Sequence, residues 1–496
     1  MTTASRTTLQ VTHTQAWPLH GAASSRQVEQ QAQAGLPPHT LMQRAGLAVA
    51  ELALAIAPHS QRIWIACGPG NNGGDGLEAA VHLHRWGKSV HVTWLGHSND
   101  APADSRAAHQ RFIDAGLTVA SEAPPSWDLA IDALLGLGCS RAPEGTLAQW
   151  LSIMHGSEAP ILHVDLPSGL SADTGVWYGH GGHLRPQRHP DRHTLALLTL
   201  KPGLFTADGR DASGQVWFNA LGVTPNARPD AWLQSAQPKA IHRAHNSHKG
   251  SYGDVLVIGG AMGMTGAALL AGHAALRSGA GRVMVALLDG SDSAAMNAQN
   301  PTLMWRDEAS QDMRDLTVVC GCGGGDSVRH VLPRVLSTAH QLVLDADGLN
   351  ALQDSSLLNL LSQRTKRGAA TVLTPHPLEA ARLLQCTAAQ VQQDRLAAAR
   401  QLAHATGAVV VLKGSGTVIA CPDAGLESPL ILNPTGNARL ASAGSGDVLA
   451  GCIGARMAQG LNAFDAACTG VARHGRVADQ WPQHLAFDAL AMTQRL

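Results

Sequence analysis

Aromatic side chains are scarce in this 496-residue chain: five Phe, two Tyr and eleven Trp make up 4% of it. A core built mainly on aromatic stacking is excluded, and 52 glycines favour close packing of helices on sheets instead. Charge is sparse as well. Asp, Glu, Lys and Arg together supply 15% of the residues and leave a net charge of −1. Such a surface has no general field to draw in nucleic acid or an anionic membrane, and neither is an expected partner. No apolar run reaches the roughly 18 residues that a spanning helix requires. The N-terminal MTTASRTTLQVTHTQAW lacks the apolar segment of a signal peptide. Eight cysteines are scattered, and only Cys320 and Cys322 lie close together. This spacing fits neither a disulfide framework nor a zinc site, so a reducing cytoplasmic setting is expected.

What is present is an alternation of short β-branched runs with alanine-rich amphipathic stretches. At this length one core does not suffice, and two or three domains are expected. In the first half, strands are predicted at 62–67, 89–95, 128–135, 160–166 and 194–200, with helical patterns at 40–57 and 77–87. Residues 223–248, polar and proline-bearing without a period, read as a linker between domains at 1–222 and 249–496. A second series of strands follows at 253–260, 281–288, 316–321, 341–346, 369–374 and 408–414, and a long helical pattern starts at Asp447. The fold class is α/β, with two domains, each holding a parallel sheet covered by helices.

The first half carries GPGNNGGDG at 68–76, directly after a strand. Gly68, Gly70 and Gly73 satisfy the dinucleotide fingerprint G-x-G-x-x-G, in which bare backbone meets phosphate at a helix N-terminus. A tight turn holding nothing is the plain alternative. A dehydrogenase would want an acidic residue ending the second strand, where only the late Asp100 is available. Asn71, Asn72 and Asp75 add polar oxygens that suit a hard cation or a polar ring. Two further strand ends carry Asp132 with a glycine-rich turn, and Asp165, Ser168 and Asp173. Parallel sheets gather ligands at that edge, although each segment taken alone also reads as a cap or a turn.

GPGNNGGDGLEAA, IDALLGLG and VDLPSGLSADTG together resemble the NAD(P)H-hydrate epimerase domain. That resemblance implies a Rossmann-like sheet that binds a hydrated nicotinamide dinucleotide and a potassium ion. It places the nucleotide on Asn71, Asn72, Gly73, Gly74 and Asp75. Gly136, Leu137, Gly138, Cys139, Ser140, Arg141, Ala142 and Asp165 complete the contact. It makes Asn72, Asp132 and Ser168 the potassium ligands, and Asp165 the acid/base candidate. A histidine-bearing insertion (His180, His183, His189, His193) departs from the family pattern; with no Cys or Glu among them it reads as a solvated loop, not a zinc site.

In the second half, Ala443-Gly444-Ser445-Gly446 presents free N–H groups at a helix N-terminus, with Asp447 in the first turn. Asp447 either complements the helix dipole or takes a proton from a hydroxyl attacking a phosphate held by those amides. Residues 249–480 resemble the ADP- or ATP-dependent NAD(P)H-hydrate dehydratase, within the ribokinase-like group. By that resemblance Lys413, Gly414, Ser415, Gly416, Thr417 and Gly446 bind ADP with Mg2+. Ala267, Gly323, His376 and Asp447 contact the hydrated substrate, and Asp447 is the catalytic base. Two departures stand out. The family's Gly-Pro-Gly is Gly321-Cys322-Gly323 here, and its Gly-Asn-Pro-Gly-Met is Gly436-Asn437-Ala438-Arg439-Leu440.

The combined expectation is a bifunctional repair enzyme. It would interconvert the epimers of NADHX and NADPHX, then dehydrate the S form with ADP, as a homo-oligomer. The rivals are a small-molecule kinase of ribokinase-like fold fused to a nucleotide-binding domain, and a non-catalytic binding protein.

Overall fold

The computed structural model describes residues 7–96, 101–179, 191–236, 244–288, 298–422 and 430–496. Contacts divide the chain into two units. One is Trp17–Trp232 with the stretch ending at Thr12; the other is Leu233–Leu496 with His13–Ala16. The division at 232/233 falls inside the segment expected as a linker, part of which forms the strand Ala231–Leu233.

In the first unit the sheet starts at its middle. The strand Arg62–Cys67 is followed outward by Ser89–Trp94 and Val119–Ala120. The chain then returns to the other side of Arg62–Cys67 through Leu129–Ala133, Ile161–Val164, Arg192–Leu197 and Gln215–Asn219, all parallel. Only Leu9–Gln10 runs antiparallel, at the edge. Arg62–Cys67 and Leu129–Ala133 therefore flank a point where strand order reverses, the place where open α/β sheets leave a crevice beyond their carboxyl ends.

The helix after the first strand begins earlier than its apolar pattern predicts, at Asn71 instead of Leu77, and runs Asn71–Arg85. The glycines explain both the discrepancy and their own number. A Cβ on Gly68 would stand 1.8 Å from the Leu134 carbonyl oxygen, and one on Gly73 2.0 Å from that of Gly68. One on Gly74 would strike Met42, and one on Gly76 would strike Cys67 and Ala133. Four of the five glycines thus let this helix lie against the strands and the helix Thr40–Ile56; only Gly70 faces open space. Glycine inside a helix costs about 1 kcal/mol each, and the buried Leu77, Ala80, Val81 and Leu83 offset it. The other face of the sheet is covered by Trp150, Leu151 and Met154 of the helix Gly145–His155 around Trp64.

The second unit repeats this logic. Asp254–Gly259 lies inside the sheet, with Arg282–Leu287 and Met304–Trp305 on one side. Thr317–Cys320, Gln341–Leu344, Thr371–Leu373 and Val409–Leu412 follow on the other, all parallel. Val418–Ala420 and Leu430–Leu432, absent from the sequence reading, add two antiparallel strands. The C-terminal helical pattern is two helices, Ser445–Ala458 and Ala463–Asp479. The first packs on Thr265–Arg277 so closely that a Cβ on Gly451 would come within 2.1 Å of the Ala271 carbonyl oxygen. Among the described residues no helix is long and apolar enough to cross a membrane.

Two candidate active sites at the strand-order reversals

Beyond the reversal in the first unit lies a cavity of about 410 Å³. It is lined by Gly70, Asn71, Asn72 and Asp75 from the helix start, by 134–139 from the next strand end, and by Asp165, Thr199 and Lys201. Ser25, Arg26 and Glu29 of the helix Ala22–Ala34 close another side. Of the expected nucleotide contacts, Gly136, Leu137, Gly138 and Cys139 line the cavity. Gly73 and Gly74 are buried in helix packing, and Ser140, Arg141 and Ala142 are not among the lining residues.

Asp165 sits at φ +67°, a left-handed conformation that costs a non-glycine residue energy and recurs at functional sites. Its Oδ1 accepts from the Leu197 amide at 3.0 Å and is ion-paired with Lys201 Nζ, which also donates to the Leu197 carbonyl at 2.8 Å. The Lys201 side chain is only 1% exposed. It is a site residue that sequence reasoning missed. Asp75 faces the same cavity. Burial pushes its carboxyl well above the ordinary range, and the charges of Asp165 and Glu29 push further. Glu29 is likewise raised by burial and by Asp165. The cavity therefore holds a carboxylate pinned to an ammonium opposite carboxyls whose burial disfavours their charged form, which suits moving a proton on and off a hydroxyl.

Asp132 and Ser168 lie fully buried behind Leu135. Asp132 caps no helix. Its Oδ1 accepts from Ser168 Oγ at 2.6 Å and the Leu134 amide at 3.2 Å; its Oδ2 accepts from the Ser168 amide at 3.0 Å and bonds His163 Nδ1 at 2.8 Å. Burial works to raise its pKa, but the bonds from His163 and Ser168 prevail and hold the carboxyl below the usual range. Ser168 Oγ accepts the Leu135 amide at 2.8 Å. Asn72 reaches the next residue, its Oδ1 3.3 Å from where a Cβ on Gly136 would stand, and its buried Nδ2 has no partner among the described residues. The Asp132 carboxylate, the Ser168 hydroxyl and the Asn72 Oδ1 thus stand around 134–136 and supply oxygen donors of the type that a hard monovalent cation takes; the orphaned Asn72 Nδ2 is a donor and is not part of that set.

Asp173 serves the fold, accepting the Ala22 amide at 2.7 Å at the start of Ala22–Ala34. His193 belongs to the strand Arg192–Leu197 and is buried, so the loop reading fails there. His180, His183, His189 and Asp100 lie outside the described residues.

In the second unit the reversal lies between Asp254–Gly259 and Thr317–Cys320, where the Gly260 amide bonds the Cys322 carbonyl at 3.0 Å. Gly444 at φ +84° turns the chain into Ser445–Ala458, placing Asp447 in its first turn. Asp345 follows Gln341–Leu344. Its Oδ1 accepts from Lys413 Nζ and from Thr374 Oγ1, each at 2.7 Å. Gly446 borders this pair, and a Cβ there would stand 3.3 Å from Lys413 Nζ. Glu379 Oε2 is 4.0 Å from the same ammonium. Burial works against the Lys413 charge, yet Asp345 and Glu379 hold its pKa above the ordinary range. Lys413, expected on the nucleotide, is thus anchored to Asp345, which sequence reasoning did not single out. His376 caps the helix Pro377–Leu384, its Nδ1 accepting the amides of Leu378 and Glu379 at 3.1 and 3.2 Å. Ala267 and Gly323 are neighbours: a Cβ on Gly323 would lie 2.9 Å from that of Ala267. Cys320 and Cys322 are both buried free thiols.

Burial, and next the Asp345 charge, push Asp447 up to about 7, with Cys322 and Lys413 pulling the other way. If Asp447 must be ionised to accept a proton, the reaction that it serves is lost as pH falls. We expect the rate to fall about tenfold per pH unit below about 7 and to level off above it. A kcat/KM profile read between pH 5 and roughly 9 checks this; a plateau extending down to the ordinary carboxylate range contradicts it.

The family model described as NAD(P)H-hydrate dehydratase matches residues 255–495, and that of the YjeF-related protein N-terminus matches 38–203. The bifunctional NAD(P)H-hydrate repair enzyme of Escherichia coli K12 is 37% identical over 470 residues, covering 90% of this chain and 85% of its own. That of Leishmania braziliensis is 33% identical, covering 88% and 84%. A crystal structure of the ADP/ATP-dependent NAD(P)H-hydrate dehydratase from Bacillus subtilis, grown with ATP and Mg2+, is 31% identical. It covers 52% of this chain and 91% of that one, with a TM-score of 0.44. With both family models on one chain and relatives matched along nearly its whole length, the chain belongs to the bifunctional NAD(P)H-hydrate repair enzymes, an epimerase-type first half joined to a dehydratase second half.

Proposed function

We propose that the cavity of the first unit exchanges the two epimers of hydrated NADH or NADPH, and that the Asp447 site of the second unit dehydrates one of them with ADP. The observation that carries the reading is the pairing, at each reversal of strand order, of an acid/base carboxylate with a helix N-terminus. Asp165 faces the start of Asn71–Arg85 in one unit, and Asp447 sits inside the start of Ser445–Ala458 in the other.

In the first unit, epimerisation requires the ring hydroxyl to leave and water to return on the opposite face. Asp75, biased toward its protonated form, donates to the departing hydroxyl. Asp165, held by Lys201, accepts from the incoming water. Asn72, Asp132 and Ser168 would hold potassium, which supplies fixed positive charge beside the bound nucleotide. Exchanging potassium for a bulky organic cation should slow epimerisation and lower the melting temperature of the first unit; unchanged values for both would contradict the ion assignment.

In the second unit, the amides of Ser445 and Gly446 receive the transferring phosphate and Asp447 takes the proton of the ring hydroxyl. AMP is the leaving group of that transfer; the phosphate then departs with the C–O bonding pair, and the adjacent ring carbon loses a proton to solvent as the ring double bond returns. Lys413 Nζ, fixed by Asp345, offers positive charge beside Gly446. Magnesium, which binds through one or two carboxylates and the phosphates, would take Asp345 as its nearest oxygen ligand and neutralise developing charge. Free phosphate and reduced nicotinamide, measured together after addition of ADP and hydrated NADH, test the reading. A stable phosphorylated product would show a small-molecule kinase instead.

A further inference from the structure

Three separate segments of the second unit bring together donors that phosphoryl transfer does not use as a set. Cys322 follows the strand Thr317–Cys320, Asp345 follows Gln341–Leu344, and Asp447 lies in the first turn of Ser445–Ala458. The thiol sulfur and one oxygen from each carboxylate all lie within 4.8 Å of one another. Cys322 Sγ is 4.0 Å from Asp345 Oδ2 and within 4.8 Å of an Asp447 oxygen. Cys322 and Asp345 are buried, whereas Asp447 is half-buried, which leaves one side of the set reachable.

We propose that Cys322, Asp345 and Asp447 form a binding site for a divalent cation of the zinc and cadmium class, and that its occupation removes Asp447 from the dehydration. Donor chemistry is the first argument. One thiolate and two carboxylates with an open fourth position form a set that zinc accepts in tetrahedral geometry. Metal–ligand bonds of about 2.0–2.3 Å place ligand atoms roughly 3–4 Å apart, so side-chain adjustment alone closes the present spacing. Charge is the second. Thiolate and carboxylates carry three negative charges, and the nearby ammonium of Lys413 is shared between Asp345 and Glu379, so the set stays net negative and favours a cation. Third, Asp447 has no cationic side chain within ion-pair distance among the described residues, unlike Asp345. Magnesium, which demands octahedral oxygen ligands, gains nothing from the sulfur.

Binding exchanges the thiol proton for the metal: M2+ and Cys–SH give Cys–S–M+, and the proton passes to solvent. The Asp447 oxygens then face the ion and no longer accept a proton from substrate. The first unit is untouched, so epimerisation continues while dehydration stops. Binding stands independently of the proposed reaction; only the inhibition rests on it.

The test titrates reduced full-length protein and its Cys322→Ala variant with Cd2+ while following the ultraviolet thiolate-to-cadmium charge-transfer band, dehydration and epimerisation. One cadmium per chain should produce a band that Cys322→Ala lacks. Affinity should fall by more than the roughly 10–100-fold that removing a residue behind a metal ligand costs. With Mg2+ held in excess throughout, dehydration should vanish as the band grows and return when Cd2+ is chelated, each protein compared with its own cadmium-free rate, while epimerisation holds. Excess Mg2+ should give no band. Cys322→Ser, which keeps the volume without the soft donor, gives the same answer if the alanine variant does not fold. An equal band in the variants, carried by the other seven of the eight cysteines, overturns the site. A Cys322-dependent band with unchanged dehydration overturns the claim that the ion covers Asp447. Should the protein supplied with ADP and Mg2+ but no Cd2+ show no dehydration, the reaction reading fails, and the band alone still decides whether the site exists.

Discussion

Asp447→Asn is expected to abolish dehydration by a factor of about 10²–10⁴, the usual cost of a lost general base. The substitution keeps the shape of the side chain and leaves the amides of Ser445 and Gly446 at the helix start. It also removes one negative charge beside the phosphate position, so ADP should bind at least as tightly. Epimerisation, carried by the other unit, should not change. If Asp447 only complements the helix dipole, the variant loses under about 1 kcal/mol of stability and keeps its turnover. Turnover, ADP affinity and melting temperature measured on one preparation separate the two. Near-normal dehydration contradicts the catalytic role, and a parallel collapse of epimerisation would indicate general misfolding instead.

Lys201→Met is expected to damage the first unit twice. Its ammonium is buried against Asp165 and the Leu197 carbonyl. Removing one member of a buried ion pair leaves the other charge uncompensated and costs about 3–5 kcal/mol. Asp165, already held at a positive φ, would also lose what orients its carboxylate. We therefore expect a clearly lower unfolding midpoint for the first unit together with loss of epimerisation, and dehydration of the correct epimer retained. Asp165→Asn keeps a hydrogen-bond acceptor for Lys201 but leaves that buried ammonium without a counter-charge, so it too should lose epimerisation together with some stability. A Lys201→Met protein with wild-type stability and epimerisation would contradict both claims.

Much of this architecture was legible in the sequence because buried parallel strands are continuous β-branched runs between glycines. RIWIAC is the strand Arg62–Cys67 residue for residue, and VVVL lies inside the predicted 408–414. The edges were not legible. Val418–Ala420 and Leu430–Leu432 are three residues long, too short to show an alternating pattern, and Gln215–Asn219 offers only Val-Trp-Phe between polar ends. The start of Asn71–Arg85 was hidden for another reason: its glycines read as a loop, and only the approach of Leu134, Met42 and Ala133 shows why a helix there must be bare.

At the sites, residues within a motif could be found and their partners could not. Asp165 stands in VDLPSG, but Lys201 lies 36 residues further on and meets it only through the crossover between two strands. Asp345 belongs to no motif that the sequence reading used, and its importance comes from Lys413, 68 residues away. Glu29 comes from a helix with no motif, and its proton affinity is a product of burial beside Asp165. Such properties depend on which charges the fold places together, information that no local spacing carries.

The central claim, two complementary activities on one chain, is tested most directly by supplying each separated epimer of hydrated NADH with ADP and following recovery of reduced nicotinamide. Wild-type protein should recover both epimers. Asp165→Asn should recover one promptly and the other only at the spontaneous rate of epimer exchange, and Asp447→Asn should recover neither while still equilibrating them. Prompt recovery of both epimers by Asp165→Asn, or of either by Asp447→Asn, would contradict the account.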